Sequence, residues 1–154
     1  MFVRIAKEFS FEMAHQLDGY DGLCSNIHGH SYRLLVTVIG APSDDERSPK
    51  YGMVMDFTDL KRIVNEHIVA PLDHALMLRK GCKIDDALKN MHAKIVCVAY
   101  QPTCENMVIR MAQILAAQLP PTVQLHSVKL HETQTSFAEW RAADNRGGEQ
   151  AAGA

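Results

Sequence analysis

From Val3 to His15 the odd positions read Val3, Ile5, Lys7, Phe9, Phe11, Met13 and His15, while the even positions read Arg4, Ala6, Glu8, Ser10, Glu12 and Ala14. A largely apolar set repeating every second residue predicts a half-buried strand, and its phase carries His15 to the apolar side. Residues 17–27 hold Gly and Asp at turn density and read as a loop. A second strand, rich in Val, Leu and Ile, is expected from about His28 to Ile39. It stops at the polar stretch GAPSDDERSP, the expected flexible tip of the chain.

The period then changes. Asp56 is placed to cap a helix over about 57–69, because Leu60, Ile63, Val64 and Ile68 share one face and Pro71 ends the run. Residues 80–100 are ambiguous: IDDALKNMHAK fits a short helix and IVCVAY a short strand. Thr103 caps a second amphipathic helix to about Gln118, striped by Met107, Met111, Ile114 and Leu115 and closed by Pro120 and Pro121. A third strand starts at Thr122 with Val123 and Leu125 on one phase and Val128 and Leu130 on the other. A bulge near His126-Ser127 reconciles them, and the second phase runs on to put Glu132 on the core side. A last strand covers about Ser136–Arg141. The element order ββααββ predicts one α+β domain over residues 1–142, a sheet with both helices on one face, followed by a disordered tail at 143–154.

Composition narrows the classes. With 154 residues, 47% hydrophobic and 22% charged, the chain reads as an ordinary soluble globular domain. Folding at this length buries roughly 70% of the unfolded surface, so the core needs neither a disulfide nor a metal, and any metal is functional. A net charge of -2 with no run of Lys or Arg argues against nucleic-acid binding. No segment approaches the roughly 20 apolar residues that cross a bilayer. The four cysteines follow no secreted spacing and the N-terminus carries no signal peptide, which together point to the cytoplasm.

His28-Gly29-His30 is the most informative tripeptide. Residues two apart on a strand face the same way, so both imidazoles can reach one ion, with Gly29 leaving room for close backbone approach. His15, at the end of the neighbouring strand, supplies a third nitrogen. Three His with an open position is a catalytic zinc arrangement; three unrelated histidines is the other reading of the same spacing. Cys24, four residues before His28, could be a fourth ligand, an inert thiol or an acid-base group. Cys82, Cys97 and Cys104 read as buried and inert. Asp73-His74 has the composition of a proton relay, although adjacent residues do not usually face each other, so the pair is expected to serve a third group or to be merely solvated. Glu132, on an inward strand position, needs a cation or a fork of donors: the amidine edge of a heterocycle, or an internal Arg. His67, His92, His126 and His131 read as structural or surface residues.

The blocks FEMAH, CSNIHGHSY, GMVMDFTDLK, LDHALM, PTCEN and HETQTSFAEW, spread in order from residue 11 to 140, resemble the 6-pyruvoyltetrahydropterin synthase family. The resemblance implies the tunnelling fold: a four-stranded antiparallel sheet with two helices, assembling as a dimer of trimers with active sites between subunits. It implies zinc held by His15, His28 and His30, a catalytic Cys24, a relay of Asp73 and His74, and Glu132 anchoring the substrate's pterin ring. Thr103 and Glu105 match the Pro-Thr-x-Glu-Asn block near that ring. Cys104 stands where Thr or Ser is commoner, which puts any hydroxyl contact there in doubt. The three-residue gap between Cys24 and His28 is similar to that of the carboxy-forming, queuosine-pathway branch. That branch implies a lyase turning 7,8-dihydroneopterin triphosphate and water into 6-carboxy-5,6,7,8-tetrahydropterin, acetaldehyde and triphosphate. The pyruvoyl-forming reaction, cleavage of dihydroneopterin itself and non-catalytic pterin or zinc binding are the alternatives. The stretch 79–100 is longer than in compact members of the family.

Overall fold

Strands β1 (Val3–His15) and β2 (His28–Gly40) pair antiparallel along their whole length, from Val3 opposite Gly40 to His15 opposite His28. The structure, a computed structural model, describes residues 1–82, 88 and 94–145. The alternation read from the sequence holds. Phe9, Phe11, Met13 and His15 of β1 are buried on the same side as Tyr32, Leu34, Val36 and Val38 of β2, while Arg4, Glu8, Ser10 and Glu12 face outward. Each large apolar side chain removed from water on this face contributes about 1.5–3 kcal/mol.

Helix α1 (Phe57–Val64) starts where Asp56 accepts a hydrogen bond from the Thr58 N–H at 2.7 Å, and it buries Leu60, Ile63 and Val64. The helical run does not stop before Pro71. It widens into a π turn (Asn65–Val69) and closes with one more turn (Ala70–Leu72) that contains Pro71. Proline has no N–H to give the preceding turn and crowds its carbonyl, and a widened turn accommodates both. Helix α2 (Cys104–Gln118) is capped by Thr103, whose hydroxyl accepts from the Asn106 N–H at 3.3 Å. Met107, Met111 and Leu115 of the expected stripe are buried, joined by Val108 and Ala112. Ile114 is partly buried against the same core.

The sheet has six strands rather than four, and it is mixed rather than antiparallel. Its order is β4-β3-β1-β2-β5-β6. The additional strands are β3 (Ala75–Arg79), parallel to β1, and β4 (Ile95–Val98), parallel to β3. Of IVCVAY, the short strand expected within 80–100, Ile95–Val98 forms β4. ALMLR carried no strand signal, because Leu and Met favour helices and Ala75, Met77 and Leu78 are all buried, so no alternation shows. Strands β5 (Val123–His131) and β6 (Phe137–Arg141) complete the other side, antiparallel to their neighbours. Ser127 lies opposite Thr37 but Leu125 opposite Val38, so His126 is the extra residue of the expected bulge. Val128 and Leu130 thereby return to the core.

A 3-10 turn (Ala142–Asn145) follows β6, so residues 143–145 of the expected tail have regular structure. The remainder of that tail, and the helix expected over 84–94 apart from residues 88 and 94, lie outside the described residues, as does His92. Among the described residues no helix is long and apolar enough to cross a membrane. Cys24, Cys82 and Cys104 form no disulfide.

Candidate active site

The register of β1 against β2 brings the three histidines together. His15 is directly opposite His28, Met13 is opposite His30, and all three rings lie on the core side at one end of the hairpin. Ring centroids are 4.5 Å apart for His15 and His28, 5.2 Å for His15 and His30, and 5.0 Å for His28 and His30. Their ligating nitrogens all lie within 4.8 Å of one another. Gly29 permits the tight pairing: a Cβ there would stand 3.3 Å from the Met13 carbonyl oxygen.

The second nitrogens explain the orientation. His15 Nδ1 is 2.8 Å from the Pro102 carbonyl and His28 Nδ1 is 2.8 Å from the Asn26 carbonyl. A carbonyl only accepts, so each Nδ1 carries the hydrogen and each Nε2 of a neutral ring presents a lone pair. Those two Nε2 atoms face each other at 3.1 Å, and His30 Nε2 is buried with no hydrogen-bond partner among the described residues. Converging lone pairs are unfavourable unless a cation lies between them. Tetrahedral zinc with bonds of about 2.0–2.1 Å places ligating nitrogens about 3.3 Å apart, so the donor set fits a zinc ion. Burial holds the His15 imidazole below its ordinary value against the opposing pull of the Pro102 carbonyl, and it lowers His30 likewise against the Glu132 carboxylate. Both rings are thus kept in the neutral, ligating form.

Glu132 reaches this cluster because the bulge in β5 sets its phase. Its Oε1 lies 3.6 Å from His15 Nε2 and 3.8 Å from His30 Nε2. Beneath the rings the fully buried Tyr32, with its centroid 5.5 Å from that of His30, is held as a neutral phenol by burial and by the Glu132 charge. Tyr32 is not among the candidates singled out from the sequence. Its signal was its place two residues after His30, on the same strand face.

Beside the trio lies a cavity of about 290 Å³ lined by His15, Tyr20, Cys24, Thr103, Glu105 and Glu132, with Cys104 and Ser136 also at its wall. Cys24 sits in a 3-10 turn (Leu23–Ser25) tied to the end of β1: its carbonyl accepts from the Leu17 N–H at 2.9 Å, and the Ser25 carbonyl accepts from Gln16 Nε2 at 2.8 Å. The Cys104 thiol donates to the Leu130 carbonyl at 3.3 Å, and burial pushes it up to about 11, so it is a neutral wall group.

Asp73 and His74 are not in this cavity. Of the pair, His74 lines a different groove of about 410 Å³, together with Glu12, Gly29, His30, Ser31 and Lys94, and Asp73 adjoins it in the chain. They do face each other, contrary to the expectation for neighbours in sequence, with Asp73 Oδ2 3.0 Å from His74 Nδ1. The cause is the backbone: His74 has φ 58, a left-handed conformation that costs a residue bearing a Cβ about 1–2 kcal/mol. Glu12 offsets this strain by clamping both residues. Its N–H donates to Asp73 Oδ1 at 2.9 Å, and its carbonyl accepts from the His74 N–H at 2.6 Å. That bond, and after it the contact with His74, hold the Asp73 carboxyl below its usual range.

Comparisons with known proteins give the family and the fold. The family described as 6-pyruvoyl tetrahydropterin synthase matches residues 4–143. The chain is 40% identical to a 6-carboxy-5,6,7,8-tetrahydropterin synthase of Haemophilus influenzae over 145 residues, covering 90% of this chain and 98% of that one. It is 31% identical over 151 residues to a 6-pyruvoyl tetrahydrobiopterin synthase of Pongo abelii, covering 90% of each. Among solved structures, the 6-pyruvoyl tetrahydropterin synthase of Caenorhabditis elegans superposes with a TM-score of 0.65 at 24% identity, covering 92% of this chain and 96% of that one, so the expected tunnelling fold is the fold found. Because the match runs from the first strand to just past the last, the chain belongs to the 6-pyruvoyl tetrahydropterin synthase family.

Proposed function

We propose that the protein is a zinc-dependent lyase that converts 7,8-dihydroneopterin triphosphate and water to 6-carboxy-5,6,7,8-tetrahydropterin, acetaldehyde and triphosphate, serving queuosine synthesis in the cytoplasm. The observation that carries this reading is the convergence of three imidazole lone pairs beside a cavity that also holds a carboxylate and a thiol. The carboxy-forming product is favoured by the Haemophilus influenzae relative and by the short gap between Cys24 and His28.

His15, His28 and His30 would hold the zinc, which when bound supplies Lewis-acid polarisation of a substrate oxygen. Glu132 receives the donor fork of the pterin ring, the role that suits a half-buried carboxylate with no Arg partner among the described residues. Cys24, at the cavity wall, exchanges a proton with the substrate side chain. His74 exchanges the other proton, oriented at Nδ1 by Asp73. Within one chain His74 and Cys24 line different cavities, which supports a homo-oligomer whose sites join Cys24 of one subunit to Asp73 and His74 of another; the family resemblance makes that oligomer a dimer of trimers.

The test is to incubate the zinc-loaded protein with 7,8-dihydroneopterin triphosphate and identify every product by mass. The carboxylated pterin with equimolar acetaldehyde is expected. A pyruvoyl product without acetaldehyde would shift the assignment to the reaction named for the Pongo abelii relative. Stoichiometric binding without product would make this a pterin-binding protein.

A further inference from the structure

We propose that Lys94 is a positioning residue for the Asp73 and His74 pair; the inference rests on the pterin synthase reading above. The pair occupies a sharp reversal. Asp73 ends the helical run in an extended conformation, His74 is left-handed, and Ala75 begins β3. The last carbonyls of a helix have no partner inside it, and here two groups at this end, the carbonyls of Ala70 and Asp73, accept from the Lys94 ammonium at 2.6 and 2.7 Å. The Lys94 backbone carbonyl in turn accepts from the Leu76 N–H at 2.8 Å. Lys94 therefore straddles His74, its side chain holding the chain before the ring and its backbone the chain after it.

Glu12 of β1 clamps the pair from the opposite neighbour. The left-handed residue is thus fixed from β1 on one side and from the residue that leads into β4 on the other. Glu12 grips the side chain of Asp73 and the amide of His74, and Lys94 grips the carbonyl between them. Lys94 also shares the groove with His74, where its charge lowers the Asp73 carboxyl beyond the larger effects of the Glu12 N–H and His74. An ammonium with three donors on a flexible stem suits two carbonyls a turn apart, and methionine keeps most of the stem while removing every donor. Without those donors the peptide between Asp73 and His74 can relax toward ordinary φ, which carries the imidazole away from its place. A displacement near 1 Å in a reacting group costs on the order of 100-fold in rate.

The experiment compares wild type, Lys94→Met and Lys94→Arg as zinc-loaded full-length proteins. Lys94→Met is expected to lower kcat about 10- to 100-fold, with KM within about twofold and zinc content unchanged, because the Lys94 ammonium bonds the carbonyls of Ala70 and Asp73 and neither belongs to the histidine trio or to Glu132. Lys94→Arg, which keeps a charged donor, is expected to recover a substantial part of the loss. NMR couplings and carbon shifts of His74 should report positive φ in wild type and its loss in Lys94→Met. Wild-type kcat in Lys94→Met would overturn the proposal, as would a kcat loss with Arg no better than Met, or accompanied by an equal loss of zinc. If wild type itself forms no pterin product, the functional reading fails, and the His74 φ comparison alone decides the role of Lys94: unchanged φ overturns it.

Discussion

His15 and His28 each commit Nδ1 to a backbone carbonyl, and this choice of tautomer makes the cluster a cation site rather than a hydrogen-bonded pair. Cys104 shows the opposite use of a polar group: a thiol neutralised by burial at the cavity wall. Its folded value is about 11 against an ordinary 9.0, so folding favours the protonated form. The resulting stability is fully present below pH 9 and is lost as the pH rises toward 11, since the unfolded chain ionises first. Urea unfolding between pH 8 and pH 11 should therefore show a fall to which Cys104 contributes roughly 1–2 kcal/mol, missing from Cys104→Ser. Equal falls in both proteins would assign the effect to another group. At this scale the sequence showed what a two-residue period shows: His28 and His30 share a face and His15 points inward with them. It did not show the Asp73 and His74 contact, because a left-handed His74 is produced by bonds from Glu12, 61 residues away from Asp73 in sequence.

Elements were legible where local chemistry decides them. The bulge in β5 followed from a break in phase, and both helix caps followed from one side chain each. Strand β3 was not legible, since its identity comes from pairing with β1 and β4 and not from any pattern of its own. Pro71 misled for a related reason: proline ends a regular helix but is accommodated by a widened turn. The cap at Asp56 is separable from the site, as α1 contributes no residue to the cavity. Asp56→Ala is accordingly expected to lower stability by about 1 kcal/mol while leaving turnover per folded molecule unchanged. Chemical denaturation and a product assay on the same sample check both halves, and a loss of turnover without a loss of stability would mean α1 reaches the site through its packing.

Across the whole molecule the chemistry is divided between two cavities. His15, Cys24 and Glu132 line one cavity and His74 another, with His30 at the wall of the second, while β4 and β6 are the edge strands of the sheet among the described residues. An edge strand is where another copy can add. The proposed arrangement has a consequence that a self-contained active site lacks. Cys24→Ala and His74→Ala should each retain zinc and each lose at least about 100-fold in turnover, the usual contribution of a proton-transfer group. Unfolded together, mixed in equal amounts and refolded into hybrid oligomers, they should regain activity, because some interfaces then pair an intact Cys24 with an intact His74. Random assembly makes roughly a quarter of the sites whole, so recovery should approach about a quarter of wild-type turnover. Recovery that stays at the level of the separate variants, in oligomers shown by mass to be mixed, would place both residues in one chain's site and remove the reason for an inter-subunit centre.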